Sequence, residues 1–418
     1  MQPRRPRGIE GVSEAGQWLS LPLETPRQGR RSLTSWPAYD NDEILAVADV
    51  LRSGNVNYWT GQHGRLFEQE FAEYVGTRHA VALANGTVAL EAAVIGLGLE
   101  PGDEFVVTPR SFIASVTAPM LRGLKPVFAD VDRESQNITP SSIEKALTPS
   151  TKAIVAVHLA GWPCDMDAIA ELADAHGLVV IEDCAQAHGA RWRGRAVGSL
   201  GQVGAWSFCQ DKIMTTGGEG GMLTTSEDAV WERVWSYKDH GKSWEAVHDP
   251  DPEPGFRWLH SSLGTNWRLN EPQSVMGRLQ LGKLDRWVEQ RRANAAYLDR
   301  RLGEIPGLRI AVPPEEAFHS YYRYYCFVEP ERLARGWSRD RILEAFERRG
   351  IPGRSGSCPE IYREKAFEGT GLAPKKRLPV ARELGETSLA FPVHHRLGEP
   401  ELAPMADAVA EVMAEATR

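Results

Sequence analysis

Short apolar runs and helical spacings alternate along most of the chain. Between Asn41 and Arg52, the residues Ile44, Leu45, Val47 and Val50 fall at helical intervals. From His79 onward the rhythm is strand, then helix. The runs 79–84, 104–108, 126–131, 153–159 and 178–181 predict strands, and the stretches 87–96, 111–123, 140–147 and 166–176 predict the helices between them. This alternation predicts a mostly parallel, doubly wound α/β sheet with helices on both faces. The unbroken run Ala153-Ile154-Val155-Ala156-Val157 fits a strand buried on both sides.

After Ala190 the pattern changes. Stretches 192–197, 204–209 and 221–225 read as strands, and 238–258 reads as a polar loop around Asp249-Pro250-Asp251-Pro252. Residues 270–302 predict one or two long helices. Residues 322–328 predict a strand, 338–349 a helix capped by Ser338, and 401–416 a last helix. The organisation expected is a mobile N-terminal extension over 1–34, a large α/β domain over 35–250, and a smaller C-terminal α+β domain over 251–418.

Composition narrows the partners. The 418 residues carry 48 Lys+Arg and 56 Asp+Glu, a formal charge of −8, with no basic face visible in sequence. That argues against nucleic acid as the main ligand. No apolar run reaches the length of a membrane span. Arg4, Arg5 and Arg7 are not followed by the apolar core of a secretory signal. Cys164, Cys184, Cys209, Cys326 and Cys358 are odd in number and scattered, so a reducing cytoplasm is expected.

Four segments place polar residues where an open α/β sheet binds ligands, beyond the carboxyl ends of its strands. Asn85-Gly86-Thr87 opens a helix, and the N–H groups there favour a phosphate. Phe112 follows the second strand and offers an aromatic face. Asp183 follows an apolar strand, where a carboxylate needs a cation or a solvated pocket. Lys212 lies between Ser207 and the turn Gly217-Gly218-Glu219-Gly220-Gly221, placed for Schiff-base chemistry. Each has an ordinary structural explanation when taken singly. Together they are what pyridoxal 5'-phosphate requires: a phosphate cradle, a stacking ring, a carboxylate for the pyridine nitrogen and a lysine for the aldehyde.

The chain resembles the fold-type I pyridoxal-phosphate enzymes, and within them the DegT/StrS family of sugar aminotransferases. The resemblance rests on Asn85-Gly-Thr, Asp130-Val-Asp132, Ile181-Glu-Asp-Cys-Ala-Gln-Ala-His-Gly-Ala190, Trp206-Ser-Phe, Lys212, Gly218-Glu-Gly-Gly221 and Gly264-Thr-Asn-Trp-Arg268. It implies that Lys212 is the Schiff-base lysine and proton shuttle. It implies that Asp183 holds the pyridine nitrogen and Gln186 the ring's phenolic oxygen. Gly86, Thr87 and Ser207 bind the phosphate, Phe112 stacks on the ring, and Asn266 reaches the phosphate of the neighbouring subunit in a homodimer with shared active sites. Arg268 is a weaker candidate for a donor carboxylate.

The family's dehydratases carry histidine in place of the lysine, so Lys212 implies transamination. The expected reaction moves an amino group from L-glutamate or glutamine to a nucleotide-linked keto-sugar, in amino-sugar, polysaccharide or antibiotic biosynthesis. A keto-cyclitol acceptor is the alternative, and a non-enzymatic regulator of the same fold is the rival. Tyr58 and Trp59 are candidate acceptor contacts, or packing residues. Arg110 or Arg354 could hold an anionic nucleotide. Gln210-Asp211, before the lysine, departs from the family's usual pair.

Overall fold

The strand–helix alternation from residue 79 is realised as a seven-stranded sheet. The computed structural model describes residues 35–252 and 254–417. The extension expected over 1–34 lies outside them. Two helices precede the sheet, α1 (Asn41–Ser53) and α2 (His63–Val75). There follow β1 (His79–Leu83), α3 (Gly86–Leu97), β2 (Glu104–Val107), α4 (Ala114–Leu121), β3 (Lys125–Phe128), α5 (Pro140–Ala146), β4 (Thr151–Val157), α6 (Met166–His176) and β5 (Val179–Asp183). A short hairpin, β6 (Arg191–Trp192) and β7 (Arg195–Ala196), leads to β8 (Val203–Ser207), β9 (Gly221–Thr225), α7 (Asp228–Tyr237) and the single turn α8 (Trp244–Val247).

The sheet order is β1-β9-β8-β5-β4-β2-β3. Strands β8, β5, β4, β2 and β3 run parallel, while β9 is antiparallel to both β1 and β8. Strand β1 therefore points the same way as β8, and the carboxyl ends of β1, β8, β5, β4 and β2 share one edge. The run in β4 explains itself. Ala153, Val155 and Val157 pack with residues of α3, α4 and α7, whereas Ile154 and Ala156 pack with Ile143 of α5 and Ile169 of α6. Both faces are buried, so no polar alternation survives.

The rest of the chain is α9 (Glu271–Leu281), α10 (Leu284–Leu302), β10 (Leu308–Ile310), β11 (Ala317–Phe318), β12 (Tyr324–Val328), α11 (Arg339–Arg349), α12 (Pro379–Thr387), β13 (Ser388–Phe391) and α13 (Glu399–Ala416). Strands β10, β12 and β13 form a second, antiparallel sheet. Ser338 caps α11 as expected, accepting from Arg341 N–H.

Several boundaries differ from expectation for local reasons. Residues 192–197 are not one strand but a hairpin, because Arg193 and Gly194 turn with φ of 47° and 79°. The helix expected from 111 begins at Ala114, since Ser111 pairs with Cys358 as an isolated bridge. The strand expected from 322 begins at Tyr324, after Tyr321 turns with φ of 49°. Within the polar 238–258 stretch, Ser243 caps α8 by accepting from Ala246 N–H.

Strand β5 ends on two adjacent carboxylates with separate tasks, since successive side chains point to opposite faces. Glu182 is fully buried. Its Oε1 accepts from Leu200 and Gly201 N–H, each at 2.7 Å, and its Oε2 accepts from Gly198 N–H at 2.8 Å. His158 Nε2 lies 2.9 Å from Oε2. One side chain thus satisfies three backbone donors of the loop before β8. Glu182→Ala should lose about 3–5 kcal/mol of stability, because it strands those donors inside the protein. A urea midpoint shift worth less than about 1 kcal/mol would contradict this role.

Two buried imidazoles make stability depend on pH. Burial, and secondarily Lys212, pushes His188 down to about 3. Burial, and secondarily Arg292, pushes His319 down to about 3. Both lie below the unfolded value of about 6.5. As pH falls through that value, only the unfolded chain takes up these protons. The stability is present above about pH 6.5 and is lost on descending toward the folded pKa, at up to about 2.7 kcal/mol per pH unit for the pair. Urea midpoints measured from pH 7.5 to 5 should fall, and fall less steeply in His319→Asn. A flat profile in the parent chain would refute the assignment.

Candidate active site

The shared strand edge gathers the residues singled out in the sequence. Leu83 and Ser207 are both paired with Gly221, the first residue of β9. This brings the segment after β1 against the end of β8. A Cβ on Gly221 would lie 2.3 Å from the Asn85 carbonyl oxygen, and a Cβ on Gly86 would lie 2.6 Å from Ser207 Cβ. Only glycine allows either approach. Asn85 caps α3 by accepting from Val88 N–H at 3.0 Å. The start of α3, carrying Gly86 and Thr87, therefore opens directly beside the Ser207 hydroxyl. Free N–H groups at a helix start next to a hydroxyl form an anion cradle.

One strand further in, Asp183 closes β5. Its carboxylate is buried, with Oδ2 accepting from Ser115 Oγ at 2.6 Å and Oδ1 from Ala185 N–H at 3.1 Å. Ser115 stands on α4, three residues after Phe112, whose ring is 64% exposed at the mouth of this edge. Ser115 had no mark in the sequence beyond its place on a helix. Gln186 Oε1 accepts from Ala160 N–H at 2.8 Å. Because that donor requires the amide oxygen, the NH₂ end of Gln186 is turned away from Ala160. That is the polarity needed to donate to a phenolate.

Lys212 follows β8 by five residues and is largely buried, with its side chain 13% exposed. Its carbonyl accepts from Trp36 Nε1 at 2.8 Å, and Trp36 in turn packs on Trp287 and His395. The start of the described chain thus anchors the lysine's backbone. Lys212 Nζ lies 3.6 Å from Asp211 Oδ1 and 5.0 Å from the Tyr322 ring centre. Burial works against the ammonium, but Tyr322, Asp211, Cys209 and Asp183 outweigh it and hold its pKa above the ordinary lysine value. Tyr322 reaches the site because it precedes β12.

The substrate candidates form a second group. Trp59 Nε1 donates to Asp239 Oδ2 at 2.7 Å, and Arg268 Nη1 donates to Asp239 Oδ1 at 2.6 Å. Lys242 Nζ lies 3.2 Å from the same oxygen and 4.0 Å from the Trp59 ring centre. Asp239 is fully buried, so two cations share one carboxylate. Arg268 also pairs with Leu83 through its backbone, which sets this group beside the α3 cradle. Asn266 is exposed, and its backbone forms an isolated bridge with Asp239. Tyr58 is engaged within the chain, its hydroxyl bonded to Glu68 and its ring covered by Lys238 Nζ at 3.8 Å. Arg110 does not present its guanidinium to solvent. It is fully buried, with Nε donating to Gln136. Arg354 is exposed, and its backbone pairs with Ala390.

The donor set fits pyridoxal 5'-phosphate. A glycine-lined cradle with a hydroxyl, a hydrogen-bonded carboxylate, an amide donor and a buried lysine lie along one edge, and no acidic side chain is among the residues assigned to the cradle.

Comparison with known proteins identifies aminotransferases of similar sequence and fold. An aminotransferase from Psychrobacter cryohalolentis, solved by X-ray, is 51% identical, with a TM-score of 0.91 over 93% of this chain and 100% of that one. The dTDP-3-amino-3,4,6-trideoxy-alpha-D-glucose transaminase of Streptomyces venezuelae is 35% identical over 396 residues, 94% of this chain and 98% of the relative. The GDP-perosamine synthase of Caulobacter vibrioides is 33% identical over 379 residues, 90% of this chain and 95% of the relative. Residues 37–410 match the DegT/DnrJ/EryC1/StrS aminotransferase family, and the chain belongs to it.

Proposed function

We propose that this aminotransferase uses pyridoxal 5'-phosphate to move an amino group from L-glutamate or glutamine to a keto-sugar carried on a nucleoside diphosphate. The carrying observation is the alignment of Gly86, Asp183, Gln186, Ser207 and Lys212 along one strand edge. When bound, the cofactor supplies a carbonyl that takes up an amine and a ring that withdraws electrons from the adjoining carbon.

The chain's residues do the rest. Gly86, Thr87 and Ser207 hold the phosphate. The Asp183 carboxylate, fixed by Ser115 and Ala185, would hold the ring nitrogen and favour its protonated form. Gln186 would donate to the ring oxygen, and Phe112 would cover one ring face. Lys212 Nζ would bond the resting cofactor and, once released from it, would move a proton between the substrate carbon and the cofactor. Asn266 of one copy reaches the phosphate held by the other, so the working unit is a homodimer. The two cations over Asp239 leave a surplus positive charge beside the cradle, which suits an anionic acceptor. The reading includes a reducing cytoplasm, where the five cysteines would stay as thiols.

Lys212→Ala should lower turnover roughly 10²–10⁴-fold, the range typical of a lost acid–base group. The parent protein loaded with pyridoxal 5'-phosphate should be yellow, and its visible band should shift on adding L-glutamate. Near-parent turnover by Lys212→Ala would refute the assignment. An absent band shift with both glutamate and glutamine would refute the donor.

The acceptor is tested separately. Lys242→Ala should raise KM for a diphosphate-linked keto-sugar about tenfold, the effect of one charge-assisted contact, with little change in kcat. Its KM for an uncharged keto-cyclitol should not change. If only the cyclitol returns the amine-loaded protein to its resting spectrum, the nucleotide-linked acceptor is wrong.

A further inference from the structure

The residue before the lysine has a built environment of its own. Asp211 Oδ1 lies 3.6 Å from Lys212 Nζ. Its Oδ2 accepts the Tyr322 hydroxyl and lies 3.6 Å from Arg323 Nη2. The Arg323 guanidinium sits 4.9 Å from the Tyr322 ring centre, and Lys212 Nζ sits 5.0 Å from the same ring. One carboxylate therefore stands between two cations, with a phenol ring packed against both. The ring is itself held, because Tyr322 N–H donates to the Ala160 carbonyl at 2.8 Å while Ala160 N–H donates to Gln186. The carboxylate is thus oriented by the same backbone segment that orients Gln186.

We propose that Asp211 is a positioning residue that receives the Lys212 ammonium whenever that lysine is free, and so sets the pH at which Lys212 gives up its proton. A lysine that shuttles protons must leave one partner and return to the same place. Asp211 supplies that place, and Tyr322 with Arg323 keeps it from following the lysine. The groups facing Lys212 are Asp211, Tyr322, Cys209 and Asp183, and its charge is also felt by the buried, neutral His188. The groups facing Asp211 are Lys212, Tyr322 and Arg323. Burial disfavours both charges, and the pairing overrides it, holding Asp211 below and Lys212 above their ordinary values.

The consequence for turnover rests on the aminotransferase reading, but the pairing can be tested without it. Cofactor-free protein is pulsed with acetic anhydride from pH 6 to 10, and acetylation of the Lys212 peptide is followed by mass spectrometry. In Asp211→Asn the labelling midpoint should fall by about one pH unit, a roughly tenfold faster reaction at fixed pH below the midpoint. Asp211→Glu should restore the parent midpoint. Tyr322→Phe, which loosens Asp211 without removing its charge, should shift the midpoint in the same direction by less, and it carries the test if Asp211→Asn fails to fold. Superimposable profiles for the parent and both lowering variants would overturn the proposal.

In loaded protein, the acid limb of kcat should move to lower pH in Asp211→Asn, with donor KM within about twofold. A change in KM alone would make Asp211 a substrate contact and overturn the proposal. The labelling needs neither donor nor acceptor, so a wrong keto-sugar assignment would leave its result unchanged.

Discussion

The site depends on a close approach that only glycine permits, where Gly221 lies between the ends of β1 and β8. With a side chain there, the Asn85 carbonyl could not come near, and the start of α3 would stand off from Ser207. Everything else follows from strand order. Strand β5 is the next neighbour of β8, so Asp183 pairs with Ala205, two residues before Ser207. Strand β4 is the next again, so the segment from His158 to Trp162 faces Gln186. The distance from the Ser207 hydroxyl to the Asp183 carboxylate is thus set by the sheet, whose strand spacing is fixed by backbone hydrogen bonds. A rigid sheet edge holds such a constellation better than loops alone.

The same edge explains why two neighbouring acids can differ in role. Glu182 and Asp183 are adjacent in sequence, and strand alternation separates them. Glu182 points back into the chain and ties down residues 198–201, which lead into β8. Asp183 points into the site. A carboxylate with four partners inside the protein stabilises the approach of β8, and its neighbour uses the position so fixed. The glycines at 198 and 201 let the loop fold over Glu182. Their Cβ atoms would lie 2.3 Å from the Trp206 ring and 2.7 Å from the Val180 carbonyl.

Much of this was legible in the sequence. The strands and helices from 79 to 183 show in hydrophobic periodicity because their packing is regular, and α6 and β9 match their predicted limits. The candidate cofactor residues stood out because they follow strand ends and open polar motifs. Helix α2 was not predicted, although Phe67, Phe71 and Val75 carry a helical spacing, because it lies outside the strand–helix rhythm. What could not be read are partnerships across long sequence distances. Nothing near Ser115 announces Asp183, nothing near Trp36 announces the carbonyl of Lys212, and nothing near Tyr322 announces Asp211. These pairs are separated by 68, 176 and 111 residues. Periodicity reports which face is buried, and it carries no information on which polar group waits there.

The formal charge of −8 at first sight sits badly with the anionic acceptor proposed above. The structure removes the conflict by distribution. Many basic side chains are paired singly with acids, as in Arg278 with Glu70 and Arg301 with Asp407. Other acids gather around one cation, as Asp40, Asp42 and Glu43 do around Lys283. At the cradle the ratio reverses, with Lys242 and Arg268 sharing Asp239. At the lysine it reverses again, with Lys212 and Arg323 sharing Asp211. Both places are partly closed off from water, where an unmatched charge acts at longer range than on the surface. Two shared carboxylates therefore create local positive fields on an acidic protein. The sharing also keeps the cations from repelling each other in the unliganded chain, which is how such a site can be both ready for an anion and stable without one.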